Sequence, residues 1–245
     1  MTDDDILFST AAKCFAPVAE DVWRDLTSGS NWADVLDIAR RLLQDDATMG
    51  AAHTPARDVR FFCPLQDFLS GGEVDALFAP PSWEEKQRFT ALHFTGGLPD
   101  SAMPVESLYR EAAGAFRPTG GGAKQAKLTG SYGGESARYM RSLTARMGLA
   151  IPFGLEAYPD HLSVELDMMA VLLRSGRLHE AWTFLGERFS WLSAYRIRLI
   201  GLSSDATKSF YVGLVDVLLG IWSRHSAERV DCARQVQRNE ALMCR

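Results

Sequence analysis

Residues 156–169 read Glu-Ala-Tyr-Pro-Asp-His-Leu-Ser-Val-Glu-Leu-Asp-Met-Met, and this stretch decides which kind of fold the chain adopts. Apolar residues recur at helical spacing on two adjoining faces, namely Leu162, Leu166, Met169 and Leu173 on one and Val164, Met168 and Leu172 on the other. A helix with two apolar faces is buried between neighbours. Pro159 and Asp160 mark its start, because proline suits the first helical position and a carboxylate complements the amide dipoles of the first turn. The spacing predicts a buried helix over 159–175.

The residues around this predicted start have two interpretations. In the first, they cap a core helix and have no other role. In the second, Glu156, Asp160 and His161 line a recognition surface at the exposed start of a rigid helix. Spacing alone leaves both interpretations open.

Helical periodicity extends over most of the chain, in the stretches 5–43, 58–69, 82–94, 137–149, 178–192 and about 205 to 222. No stretch alternates polar and apolar residues in the manner of a strand. Residues 117–134 hold six glycines and few large apolar side chains, which predicts a mobile connection. The sequence therefore predicts an all-α protein with an N-terminal helical part, 1–116, and a C-terminal part, 135–245, together forming one globular unit.

Composition excludes several classes of protein. The apolar fraction of 47%, the charged fraction of 23% and the net charge of −5 are ordinary for a globular protein and argue against nucleic-acid binding. No window reaches about 18 uncharged apolar residues, and the acidic start Met-Thr-Asp-Asp-Asp is unlike a signal peptide. We therefore expect a cytoplasmic protein without membrane insertion.

Metal sites and disulfides are not expected either. The four cysteines, Cys14, Cys63, Cys232 and Cys244, are scattered and form no Cys-x-x-Cys pair. His161 and Glu165 are spaced as metal ligands can be, but the H-E-x-x-H pattern is absent.

Motifs for catalysis are incomplete. In the glycine-rich run, Lys124 is followed by Gln125 where a phosphate-binding loop needs serine or threonine. Ser136 lacks the second glycine of a nucleophile elbow. We therefore predict neither an enzyme nor a bound cofactor, with a nucleotide-binding enzyme as a distant alternative. Trp83, beside Pro80-Pro81 in a predicted loop, is a candidate for partner contact, although most of the tryptophans have core spacing.

The stretch 156–166 and the Met168-Met169 pair that follows resemble the signature of the TorD/DmsD/NarJ family of redox-enzyme maturation chaperones. Companion segments follow in the family's order: Pro-Val-Glu-Ser-Leu-Tyr at 104–109, then 139–149, 189–192 and 210–211. Tyr158 and Arg188 depart from the commoner family residues.

The resemblance implies a TorD-like helical bundle that acts as a cytoplasmic chaperone. Such a protein binds the twin-arginine signal peptide, or the apo form, of a molybdopterin-containing oxidoreductase, assists cofactor insertion and delays export. Carboxylates would bind the two guanidinium groups, and apolar side chains the rest of the peptide. The expected client-binding residues are Glu156, Pro159, Asp160, His161, Ser107, Tyr109 and Trp83.

Two further expectations accompany this one. The alternative function is that of an assembly factor for the catalytic subunit of a non-exported molybdoenzyme of the nitrate-reductase type. We expect a monomer, although the glycine-rich connection would allow a domain-swapped dimer.

Overall fold

The computed structural model describes residues 4–44, 76–77, 79–96, 100–110, 132–203 and 206–243, with side chains up to residue 225 except that of residue 44. The helix predicted over 58–69 lies outside the described residues. So does most of the predicted connection 117–134, and the division into 1–116 and 135–245 therefore stays a prediction.

The described residues form helices, as predicted. The α-helices are α1 (Asp4–Phe15), α2 (Glu20–Leu26), α3 (Gly29–Gln44), α4 (Trp83–His93), α5 (Glu135–Arg146), α6 (Leu162–Arg174), α7 (Leu178–Arg188), α8 (Leu192–Ile200) and α9 (Ala206–Met243). Short 3₁₀ turns span Glu106–Leu108 and Phe189–Trp191. Among these residues the one β pairing is an isolated antiparallel bridge between Val105 and His161. The all-α prediction is confirmed.

Helix α6 lies at the centre of the bundle, because ten of its thirteen residues are buried. Helix α1 packs along it, and α7 packs beside it. The predicted start of α6 is wrong by three residues. Pro159 and Asp160 precede the helix in a turn, and His161 is its N-cap with extended backbone angles (φ −72°, ψ 140°).

Aromatic rings join the N-terminal helices to α9. Tyr211 stacks on Phe89 of α4, with ring centroids 5.0 Å apart, and contacts Phe15 of α1 at 5.4 Å. Its hydroxyl donates a hydrogen bond to the Cys14 carbonyl at 3.1 Å. Helices from both ends of the chain thus share one core, which holds α6 in place from several sides.

Helix α4 is tied to the end of α1 by a buried lysine. Its start is as predicted, with Ser82 and Glu85 forming a capping box, but Trp83 is its first residue and does not lie in a loop. The Lys86 ammonium donates a hydrogen bond to the Ala16 carbonyl at 2.8 Å and lies 5.3 Å from the centre of the Trp23 ring. Burial lowers the pKa of Lys86 to about 8.

Within the part of the chain that the structure describes, no helix combines the length and the apolar character that crossing a membrane requires.

Candidate functional site

The segment before α6 is a succession of turns. The amide of Leu155 donates to the carbonyl of Pro152 at 3.0 Å, that of Tyr158 to Leu155 at 2.8 Å, and that of His161 to Tyr158 at 3.0 Å. At the end of this series the imidazole of His161 accepts the amide hydrogen of Ser163 through Nδ1, at 3.2 Å. The signature residues therefore lie in hydrogen-bonded turns, and a histidine among them caps the central helix.

Asp160 and His161 are buried, with exposed fractions of 1% and 3%. The prediction of an exposed helix start is therefore wrong. The covering segment is 104–107, which pairs with 160–162 along its backbone: Glu106 donates to the Asp160 carbonyl at 3.0 Å, and Leu162 to the Pro104 carbonyl at 2.8 Å. Periodicity within α6 holds no information about this distant segment.

The buried polar groups of the signature are engaged in the fold. The Asp160 carboxylate accepts the Ser107 amide hydrogen at 2.9 Å, a charge-assisted bond that fixes segment 104–107 against α6. Burial lowers the pKa of His161 to about 3, so the imidazole is neutral and its Nδ1 is free to accept the capping bond. Both side chains thus position the backbone around them.

Ser107 and Tyr109 lie close to this signature, but as buried groups. The Tyr109 ring stacks on Trp191 with centroids 5.7 Å apart and meets Tyr195 edge-on at 5.4 Å. Burial raises the pKa of the Tyr109 hydroxyl. Pro159 is buried as well. The structure therefore brings together five of the seven predicted residues, in the interior beside α6.

A buried ionic centre adjoins these residues, and sequence reasoning missed it as a site. Glu106 is 1% exposed; its Oε2 pairs with the Arg188 guanidinium, and its Oε1 accepts from Arg110 Nη1 at 2.6 Å. The neighbouring Glu165 accepts the indole N–H of Trp191 through Oε2 at 3.2 Å. Burial and the nearby Glu106 carboxylate raise the pKa of Glu165 well above its ordinary value, which favours its neutral form.

The signal that could have found this centre was a charge among apolar residues. Arg188 lies within the predicted helical stretch 178–192, three positions after Leu185 and directly before Phe189, and all three are buried. A buried arginine requires a carboxylate partner. The sequence does not show which acidic residue provides the carboxylate that pairs with Arg188.

Several buried polar atoms in and around this centre have no hydrogen-bond partner among the described residues. They are Ser107 Oγ, Tyr109 OH, Ser163 Oγ, Glu165 Oε1, Arg188 Nε and Tyr195 OH. Buried groups of this kind are normally satisfied by a partner or by water. Their number marks this part of the interior as polar.

The exposed part of the site is the turn that leads into the signature. Phe153 is 92% exposed, and Gly154 beside it has a φ of +86°, which favours glycine. The exposed Glu156 holds this turn, because its Oε2 accepts the Gly154 amide hydrogen at 2.8 Å. The turn therefore presents one aromatic ring and one carboxylate to solvent.

A groove of about 180 Å³ begins beside this turn at Pro152. Its walls are largely apolar and come from α1, α5 and α6, with the lining residues Ser9, Thr144, Leu149, Ala150, Pro152, Val164, Asp167, Met168, Ala170, Val171 and Arg174. Burial raises the pKa of Asp167 on its wall. The groove thus has largely apolar walls that carry one carboxylate, Asp167, and one guanidinium, Arg174.

Trp83 belongs to a different part of the molecule. Its side chain is half-buried, and its indole N–H donates to the Val18 carbonyl at 3.2 Å. It packs in the contact between α4 and the loop that joins α1 to α2.

No cluster of three or more metal-ligating side chains occurs among the described residues. The two residues with ligand spacing are engaged otherwise, since His161 Nδ1 caps α6 and Glu165 binds Trp191.

The family model described as nitrate reductase delta subunit matches residues 64–199, more than half of the 245 residues. This range contains the signature, the ionic centre and the exposed turn. No curated protein and no solved structure matches the chain.

Proposed function

The chain belongs to the nitrate reductase delta subunit family of molybdoenzyme assembly chaperones, and from this we propose that it binds the precursor of a molybdopterin-containing oxidoreductase in the cytoplasm. In this proposal it binds the twin-arginine leader, or the apo form of the client, and delays export until the cofactor is inserted. It acts as a monomer and performs no catalysis of its own.

The observation that carries the proposal is the exposed turn before the signature. Phe153 is almost fully exposed, Glu156 lies three residues later, and an apolar groove begins at Pro152. A twin-arginine leader has the complementary chemistry, with two guanidinium groups followed by an apolar stretch. Charge-assisted bonds to carboxylates and burial of apolar side chains in a groove are the usual means of binding such a segment.

The seven predicted residues take two kinds of role in this proposal. Glu156 contacts a client arginine, and Trp83 contacts the client at a separate surface. Pro159, Asp160 and His161, together with Ser107 and Tyr109, act from the interior. They fix the backbone at 160–162, to which the turn 151–158 is joined by the hydrogen bond from the His161 amide to the Tyr158 carbonyl, and a backbone fixed in this way loses less entropy on binding.

Calorimetric titration tests this assignment. The probe is a synthetic peptide with two consecutive arginines followed by an apolar stretch, and the proteins are the wild-type chain, Glu156→Gln and Phe153→Ala. We expect Glu156→Gln to bind about tenfold more weakly or worse, since a charge-assisted hydrogen bond contributes about 1.5–3 kcal/mol when fully formed. Phe153→Ala should also bind more weakly, because it removes apolar area that the peptide would cover.

Glu187→Gln is the matched control, because Glu187 is an exposed carboxylate on α7. It should bind like the wild type. Equal affinity for all four proteins would refute the placement of the client at this turn.

The family's description also favours a second function, which is assembly of a catalytic subunit that carries no leader. In that case the chain would co-purify with an apo catalytic subunit from which the leader has been deleted, and the twin-arginine peptide would not bind. Binding of the peptide together with loss of co-purification after leader deletion would exclude this second function.

A further inference from the structure

We propose that Glu106 accepts an arginine side chain of the client, and that Arg110 occupies this carboxylate in the free chaperone as a placeholder which the client arginine displaces. The identity of the arginine donor rests on the proposed function, whereas the acceptance of a guanidinium by Glu106 does not.

The two guanidinium groups on Glu106 differ in burial. The Arg188 side chain is 7% exposed and that of Arg110 is 46% exposed. Because Arg110 Nη1 lies 2.6 Å from Oε1, a half-exposed group directly covers a carboxylate that is itself 1% exposed. Arg110 is therefore the more accessible of the two partners of Glu106.

Arg188 is held more firmly. Its guanidinium lies 4.6 Å from the centre of the Tyr139 ring, in a cation–π contact. It therefore remains with Glu106 while the outer position exchanges, and it keeps the carboxylate oriented. Tyr139 is itself 38% exposed.

Exchange of Arg110 for another arginine conserves the bonding at Glu106. One charge-assisted hydrogen bond is broken and an equivalent one is formed. Arg110 pairs with Glu106 over a spacing of four residues, and because its guanidinium is half-exposed, solvent screens this bond more than it screens the buried bond to Arg188. An incoming arginine thus competes with the weaker of the two internal partners for a buried acceptor.

Removal of the placeholder tests the acceptor directly. In Arg110→Ala, ethylguanidinium at millimolar concentration should bind saturably and shift the amide NMR signals of Ser107 and Asp160, with a dissociation constant on the order of millimolar. The control is Arg24→Ala, which breaks the exposed pair of Arg24 and Glu20 at the same four-residue spacing. An absence of saturation in Arg110→Ala, or an equal response in Arg24→Ala, would overturn the proposal.

The twin-arginine peptide then tests the client arginine. Arg110→Ala should bind it about two- to fivefold more tightly than the wild type, the factor that corresponds to loss of one weak ion pair. Arg24→Ala should bind the peptide no more tightly than the wild type does. For a peptide with lysines in place of both arginines, the increase in affinity caused by Arg110→Ala should be smaller.

The outcomes separate the two proposals. If the wild type binds the peptide but Arg110→Ala binds it no better, the placeholder is refuted and the proposed function stands. If ethylguanidinium binds to Arg110→Ala but neither the wild type nor a variant binds the peptide, the proposed binding of the leader is refuted. The proposal that Glu106 accepts a guanidinium group then stands.

Discussion

Acid should destabilise this protein through His161, because the fold requires that imidazole to be neutral. Its ring is buried at the start of α6, and Nδ1 accepts the Ser163 amide hydrogen. Protonation of Nδ1 would replace this acceptor by a donor and place a charge in the interior.

The size of the destabilisation follows from the difference in the pKa of His161 between the unfolded and the folded chain. Burial lowers the pKa of His161 from 6.5 to about 3. Between these values the unfolded chain binds a proton that the folded chain does not, so stability falls as the pH falls through this window. Proton linkage gives a loss of about 2.5 kcal/mol in the free energy of unfolding between pH 7 and pH 4.5.

Urea denaturation of the wild type and of His161→Asn at a series of pH values measures this loss. Asparagine is a good N-cap residue and can accept the Ser163 amide hydrogen, but it does not titrate. Subtraction of the two free energies of unfolding removes the pH dependence that the carboxylates and the other histidines contribute to both proteins.

We expect the wild type minus His161→Asn difference to fall by about 2.5 kcal/mol from pH 7 to pH 4.5. A difference that stays constant over this range would refute the reasoning. It would mean that His161 titrates alike in both states, and hence that its burial and its capping bond are not as described.

Two further predictions concern buried titratable groups. Glu165→Gln should change the free energy of unfolding at pH 7 by less than about 1 kcal/mol, because a neutral amide keeps an acceptor for the Trp191 indole. Glu165→Ala should lower it by about 3 kcal/mol or more, because it leaves a cavity and an unpaired indole N–H. Equal losses for the two variants in urea denaturation would contradict a neutral Glu165. Lys86, with a pKa lowered to about 8, is neutral in the folded state above that value and charged in the unfolded state up to its ordinary 10.5, so stability rises with pH. The stability of the wild type minus that of Lys86→Met should therefore increase by about 1 kcal/mol from pH 8 to pH 9, and a decrease would show that the charged form is the one the fold favours.

The sequence by itself determined the fold class and the central helix. Apolar residues on two faces of a helix over 162–173 are shielded from water only if other elements pack on both faces, so the spacing alone predicts that α6 is buried. The start of α4 also depends only on local sequence, because the side chains of Ser82 and Glu85 each accept a hydrogen bond from the other's backbone amide within one turn. The resemblance in the signature identified the family, which the match over residues 64–199 confirms.

The tertiary structure alone decided what the signature residues do. Asp160 is buried because Ser107, 53 residues away in the chain, donates to its carboxylate, and Glu106 pairs with Arg188 across 82 residues. Local spacing describes which side chains share a helix face, but a buried charge is satisfied by whichever group the fold brings near it. For that reason the burial of Asp160 and His161 and the exposure of Phe153 became visible only in the folded chain.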